Sequence, residues 1–179
     1  MASAVLLACF ITGVTASVHG AAARAGRRVV RAATLSALGG EILGYERTTW
    51  RWERVMGLPR TDTAGRALAQ MSLGDVERAV RLWRSRAAAA ARRARRPPHL
   101  RAWLCIHHYE GSWTDEGAPY YGGLQMDVSF QQHYGGWLFQ HKGTADHWSP
   151  LEQMWTAEKA LRSTGFWPWP NTARFCGLL

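Results

Sequence analysis

Residues 103–125 read WLCIHHYEGSWTDEGAPYYGGLQ, and this stretch decides the fold. Trp103, Ile106, His107 and Glu110 stand at i, i+3, i+4 and i+7, which is one face of an α-helix. Gly111 follows directly, and glycine commonly closes a helix. The run Tyr120-Tyr121-Gly122-Gly123-Leu124-Gln125 then reads as a tight turn lined by aromatics, the one place in the chain that suggests a small hairpin. A single acid, Glu110, therefore stands at a helix end, a few residues ahead of a glycine-rich turn.

Outward from this stretch the pattern is helical. Pro98 suits the first turn of a helix over residues 99–110. Upstream, Ser72-Leu73-Gly74-Asp75 resembles a capping box with Asp in place of Glu, opening a helix to about residue 96. Val76, Val80, Trp83, Ala87, Ala91 and Ala94 form its apolar stripe, arginines cover the remainder, and Pro97-Pro98 ends it. Residues 45–56, YERTTWRWERVM, place Tyr45, Thr49, Trp52 and Met56 on one stripe, and Gly57-Leu58-Pro59 stops them. The favoured reading is an amphipathic helix that packs its tryptophans inward, with a ligand-binding stripe as the alternative. Residues 21–44, rich in Ala, Gly and Arg with weak periodicity, read as a linker or a poorly ordered helix.

Downstream, Asp127 can cap a helix toward residue 139 that Gly135-Gly136 would weaken. Ser149-Pro150-Leu151-Glu152 is a capping box with proline at the first helical position, a strong start signal. That helix runs to about Thr164 and Gly165 ends it. Trp167-Pro168-Trp169-Pro170 reads as an extended, rigid tail leading to Cys176. No strand pattern survives more than a few residues. The fold class is mostly α, a compact helical domain with a small hairpin, preceded by basic helical segments.

Charge and aromatics divide the chain. Its 179 residues carry a net charge of +9. Residues 1–100 hold 17 Arg and 6 acids, whereas residues 101–179 hold 5 Lys or Arg and 7 acids. The basic half favours polyanions, whether nucleic acid, anionic lipid or anionic wall polymers. Seven of the ten tryptophans lie after residue 100, where core filling accounts for about half and stacking platforms for flat amphipathic rings remain open for the rest. The expected organisation is an apolar leader over residues 1–22, a basic accessory region over 23–97, and a near-neutral, Trp-rich domain over 98–179.

The leader rests on residues 4–14, AVLLACFITGV, which match a signal-peptide core and are too short for a comfortable membrane span. Small residues at Val14-Thr15-Ala16 or Gly20-Ala21-Ala22 offer cleavage sites, although the positive charges lie on the far side of the run. Export is the expectation, with no stable membrane span, and a non-cleaved anchor or a buried helix is the alternative. Cys9 would leave with the leader. Cys105 and Cys176 then form an even pair, either one disulfide in an exported protein or two buried thiols in a cytosolic one.

The chemistry centres on Glu110. The negative end of a helix macrodipole disfavours a charged carboxylate there, and flanking Tyr109 and Trp113 add desolvation, which suits a general acid. Gly122 and Gly123 would let the backbone approach a bulky ligand, and Gln125 offers both a donor and an acceptor. Asp115, Glu116 and Asp127 are candidate second carboxylates, the first two loop-bound and the third a helix cap. His107, His108, His133, His141 and His147 do not form an HExxH-type set, so no metal and no cofactor are expected.

The pattern CIHHYEGSW followed by YYGGLQMD resembles the resuscitation-promoting factor domain of actinobacteria, a family similar to lysozyme and to soluble lytic transglycosylases. Glu110, Trp113, the run from Tyr120 and Tyr121 through Gly122, Gly123 and Gln125, then Gln153, Glu158, Trp167 and Cys176 match in order, over about residues 98–179. The resemblance implies a lysozyme-like α+β fold and cleavage of the β-1,4 bond between N-acetylmuramic acid and N-acetylglucosamine in peptidoglycan. It implies Glu110 as the single acid and base, substrate contacts from Trp113, Tyr120, Tyr121, Gly122, Gly123, Gln125, Ser129 and Trp167, and peptidoglycan strands as the partner. The chain departs from the family where Tyr109 takes the place of the usual cysteine, with Cys105 one helical turn earlier, and where Ser129 falls one residue early. Two other classes remain in view: a non-catalytic glycan-binding module of the same fold, and an Arg-rich nucleic-acid-binding protein that would leave the Trp-rich half without a role.

Overall fold

The computed structural model describes residues 12–63 and 70–179, with side chains from residue 22 onward. Its elements are α1 (Thr12–Met56), α2 (Leu73–Ala94), α3 (Leu100–Glu110), β1 (Tyr120–Tyr121), β2 (Met126–Asp127), α4 (Val128–Lys142), a 3-10 turn (Ala145–His147), α5 (Pro150–Thr164) and α6 (Pro170–Phe175). The protein is mostly helical with one small antiparallel hairpin, as its sequence pattern predicts. Tyr120 pairs with Asp127 and Tyr121 with Met126. No described helix is long and apolar enough to cross a membrane.

Of the two readings of residues 21–44, a linker or a poorly ordered helix, the structure takes the helical one: they belong to a continuous 45-residue helix. The chain has no proline before Pro59, and Ala, Arg and Leu are strong helix formers. Glycines in that run cost about 1 kcal/mol each, which weakens a helix without forbidding it. Side chains 22–34 are all exposed, so this stretch is helical by local preference rather than by packing. The expected leader falls partly outside the described residues, and from Thr12 it is the start of α1.

The chain divides into two compact units, one within residues 1–43 and 66–81, the other within 44–65 and 82–179. In the first, Ser72 caps α2: its hydroxyl accepts from the Asp75 amide at 3.2 Å and donates to the Asp75 carboxylate at 2.6 Å. In the second, Val55, Met56 and Ala94 share one core with Trp103, Ile106, Leu124 and Leu138. The expected boundary at residues 97/98 is therefore not a packing boundary, because the ends of α1 and α2 supply part of the core that α3 to α6 enclose.

Four of the seven later tryptophans, Trp103, Trp148, Trp155 and Trp169, are buried. Each indole N–H has an acceptor: Glu158, Gly143 O, Ala94 O and Leu124 O respectively. A buried indole left unpaired would forfeit part of its packing gain, so each ring also fixes the position of its acceptor.

The Ser149 capping box forms as the sequence predicts, and Glu152 extends it. Its fully buried carboxylate takes Arg51 at 2.9 Å, Lys142 at 2.7 Å and the Ser149 amide at 2.8 Å. One side chain thus ties α1, α4 and α5 together. The tail corrects its expectation of an extended, rigid run: residues 165–169 turn, and Pro170 opens a short helix. Proline at the first helical position sacrifices no hydrogen bond, and burial of Trp169 draws the chain inward. α4 also passes its expected end, continuing to Lys142 across a kink at Gly135, where a side chain would strike Trp148.

Candidate functional site

Glu110 is the last residue of α3, half-buried. Its Oε1 accepts a hydrogen bond from the Thr172 hydroxyl at 2.7 Å. Thr172 lies on α6, and three features hold α6 against α3. Trp169 is anchored on Leu124 O at 2.7 Å. Cys105 and Cys176 form a disulfide across 71 residues, joining α3 to the residue that closes α6. Tyr109 and Phe175 rings lie 5.6 Å apart. The cysteine shift from Tyr109 to Cys105 therefore still permits closure, because one helical turn keeps the thiol on the face that meets α6.

The hairpin turn flanks the same helix end. Gly111 leaves α3 with φ +135, a region that favours glycine, and a Cβ there would lie 3.5 Å from Asp115 Oδ2 and 3.9 Å from Gln125 Nε2. Gln125 Nε2 donates to Asp115 Oδ2 at 2.8 Å and to Gly122 O at 3.0 Å. The loop after Glu110 and the turn after Tyr121 are thus one hydrogen-bonded body. Asp115 is committed to it, accepting also from the Gly117 amide at 3.0 Å.

Gln153 on α5 clamps this body from below. Its side-chain amide donates to the carbonyls of Trp113, Ala145 and Trp148 and accepts from the Gly123 amide at 2.9 Å. His107 stacks on Trp113 at 3.9 Å and bonds Gly123 O at 3.1 Å. Glycine is required at 122 and 123 for these contacts. A Cβ at Gly122 would meet Gln153 Oε1 at 2.5 Å, and one at Gly123 would meet His107 Nδ1 at 2.5 Å. Both glycines are buried, which corrects their expected role: their smallness admits the protein's own side chains rather than a ligand.

The remaining candidates separate. Trp113 is half-buried with one face taken by His107. Tyr120 is exposed and Tyr121 packs partly on the core. Ser129 is exposed and donates to Asp127 Oδ1 at 2.7 Å, and Asp127 caps α4 through the Phe130 amide. Those two bonds hold the Asp127 carboxyl below its ordinary value, the amide bond contributing most. Trp167 is 65% exposed in the turn between α5 and α6. Tyr109 is 54% exposed, with its ring turned to Phe175. No group of three potential metal ligands occurs among the described residues.

Sequence reading missed Thr172, the clamp made by Gln153 and the His107–Trp113 stack. Only Gln153 carried a signal, through the resemblance. Comparison with protein-family models, with curated proteins and with solved structures finds no match to this chain.

Proposed function

We propose that the protein is a peptidoglycan-cleaving glycosidase in which Glu110 is the single general acid and base. The supporting observation is the setting of Glu110: a half-buried carboxylate at a helix end, oriented by Thr172, beside a hairpin turn rigidly clamped by Gln153. The acid protonates the oxygen of the β-1,4 bond as it leaves. The resulting carboxylate then removes a proton from the muramyl 6-hydroxyl, giving a 1,6-anhydro product, or from water, giving a reducing end. The transglycosylase route is favoured because two of the three neighbouring acids are engaged. Asp115 holds Gln125 and Asp127 caps α4, while Glu116 stands exposed on the loop with no group orienting it among the described residues. Exposed Tyr120 offers an amphipathic face beside the hairpin for a sugar ring. Export to the cell wall fits the same reading, since a disulfide persists in an oxidising compartment.

A second reading, a glycan-binding module without turnover, draws support from Gln125, whose amide nitrogen is already spent within the protein. Mass spectrometry of muropeptides released from purified peptidoglycan by the full chain separates the two. Anhydromuramyl products that fall at least about a hundredfold with Glu110→Gln are expected from the enzyme. Retained binding with no release by either form would select the module.

A further inference from the structure

A second site lies apart from Glu110, within the same compact unit. A cavity of about 650 Å³ opens beside the end of α1, with Trp50, Arg47, Arg54, Arg60 and Trp137 among its walls. Gly57 reverses the chain at φ +68, and the segment after it folds back onto α1. Thr61 fixes that return: its carbonyl accepts from Trp50 Nε1 at 2.8 Å, and its amide donates to Glu53 at 2.9 Å. The return carries Arg60, whose guanidinium lies 3.6 Å from the Trp50 ring centroid. Arg54 lies 5.6 Å over the Trp137 ring.

The acids of this region are engaged. Glu53 is held by Thr61, and Glu152 takes Arg51 and Lys142. Glu46 is buried, within electrostatic reach of Arg60 but not paired with it. Among the described residues Arg47, Arg54 and Arg60 have no ion pair. Arg47, Arg54 and Arg60 therefore line one cavity whose wall holds a single carboxylate, Glu53, and two of the three guanidinium groups are oriented by indole rings. Stacking on a ring immobilises the guanidinium and leaves its N–H edge for an oxyanion, so less side-chain entropy is lost on binding.

Geometry selects among anions. The arginines come from two directions, Arg47 and Arg54 from α1 and Arg60 from the returning segment. A phosphodiester offers two anionic oxygens in one plane and two ester oxygens out of it, whereas a carboxylate offers only the two in its plane. Arg47 and Arg54 are two helical turns apart, roughly 10 Å along the axis, so the site accommodates more than one charge. The nearest indole faces are already covered by arginine, which removes the stacking platforms that single-stranded nucleic acid uses. The disulfide in the same unit points to an oxidising compartment.

We propose that this pocket binds the phosphodiester groups of an anionic polyol-phosphate polymer. The site stands independently of turnover at Glu110. Isothermal titration of the full chain with poly(glycerol phosphate), pyrophosphate and a single-stranded oligonucleotide of equal charge tests it. Arg47→Gln, Arg54→Gln and Arg60→Gln combined should weaken polymer binding by about a hundredfold or more, at about tenfold per charge-assisted contact. Arg92→Gln, Arg93→Gln and Arg95→Gln combined remove the same charge from exposed positions on and just after α2 and should cost under about threefold. Near-UV circular dichroism checks folding, and if the pocket triple variant unfolds, Arg60→Gln alone decides with an expected loss of about tenfold. Equal loss in both triple variants, or no polymer binding by the wild type, overturns the site. Binding of pyrophosphate without polymer overturns the polymer in favour of a small phosphate ligand. An oligonucleotide bound more tightly through the same arginines overturns it in favour of nucleic acid.

Discussion

Glu110 and Thr172 meet across 62 positions of sequence through one hydroxyl hydrogen bond of 2.7 Å. The proposed reaction needs the carboxyl aimed at the glycosidic oxygen, and this bond restricts its rotation. Thr172→Val keeps the shape and removes the donor. Loss of one such bond is worth about 1.5 kcal/mol, so kcat for muropeptide release should fall about tenfold with KM nearly unchanged. Thr172→Ser should restore it, and a purely structural role would not give that split. Gly123 is a second residue whose size is decisive. Gly123→Ala forces a methyl group against His107 and Trp113, and the overpacking should cost about 1–3 kcal/mol in urea denaturation.

Among the elements, α5 does the most organising. Burial of the Glu152 carboxyl would raise its pKa, but hydrogen bonds from Arg51, Lys142 and Ser149 outweigh that and hold it at about 2 against an ordinary 4.5. A folded-state value below the unfolded one adds stability that is fully present above about pH 4.5 and is lost as the pH falls toward 2. The contribution is on the order of 3 kcal/mol, so the wild-type melting temperature should drop steeply through that window. In Glu152→Gln the same window should be much flatter, from a lower starting stability, and thermal melts at a series of pH values read the difference. The α3–α6 pair is the other decisive arrangement. A disulfide closing a loop of this length contributes about 4 kcal/mol through restriction of the unfolded chain, and it also keeps Thr172 beside Glu110.

At the scale of the whole molecule, the basic N-terminal half is not a simple appendage. Val55 and Met56 from α1 and Ala94 from α2 lie in the core that surrounds Trp103, and Arg51 neutralises buried Glu152. A fragment of residues 98–179 would expose that core and leave Glu152 without one of its two cations. It should lack the near-UV circular dichroism of packed tryptophans and a cooperative melt, whereas residues 44–179 should retain both. Cooperative melting of the shorter fragment would show that the core closes without the two basic helices.

Much of this architecture is legible in the residues themselves. Helix starts at Ser72 and Ser149, stops at Gly57, Pro97 and Gly165, and the hairpin between Tyr120 and Asp127 follow from local rules, because capping, proline geometry and glycine turns act over a few residues. Glu110 stands out for the same reason, as an acid at a helix end. The tertiary structure alone decided what those residues meet. Gly122 and Gly123 read from sequence as clearance for a ligand, and only the packed structure shows Gln153 and His107 occupying that space. Thr172 carries no local sign of its partner, and Arg60 reaches Trp50 only because Thr61 folds back on Glu53. Local patterns fix backbone conformation, whereas contacts between side chains distant in sequence depend on how the helices pack, and a single chain read residue by residue does not contain that geometry.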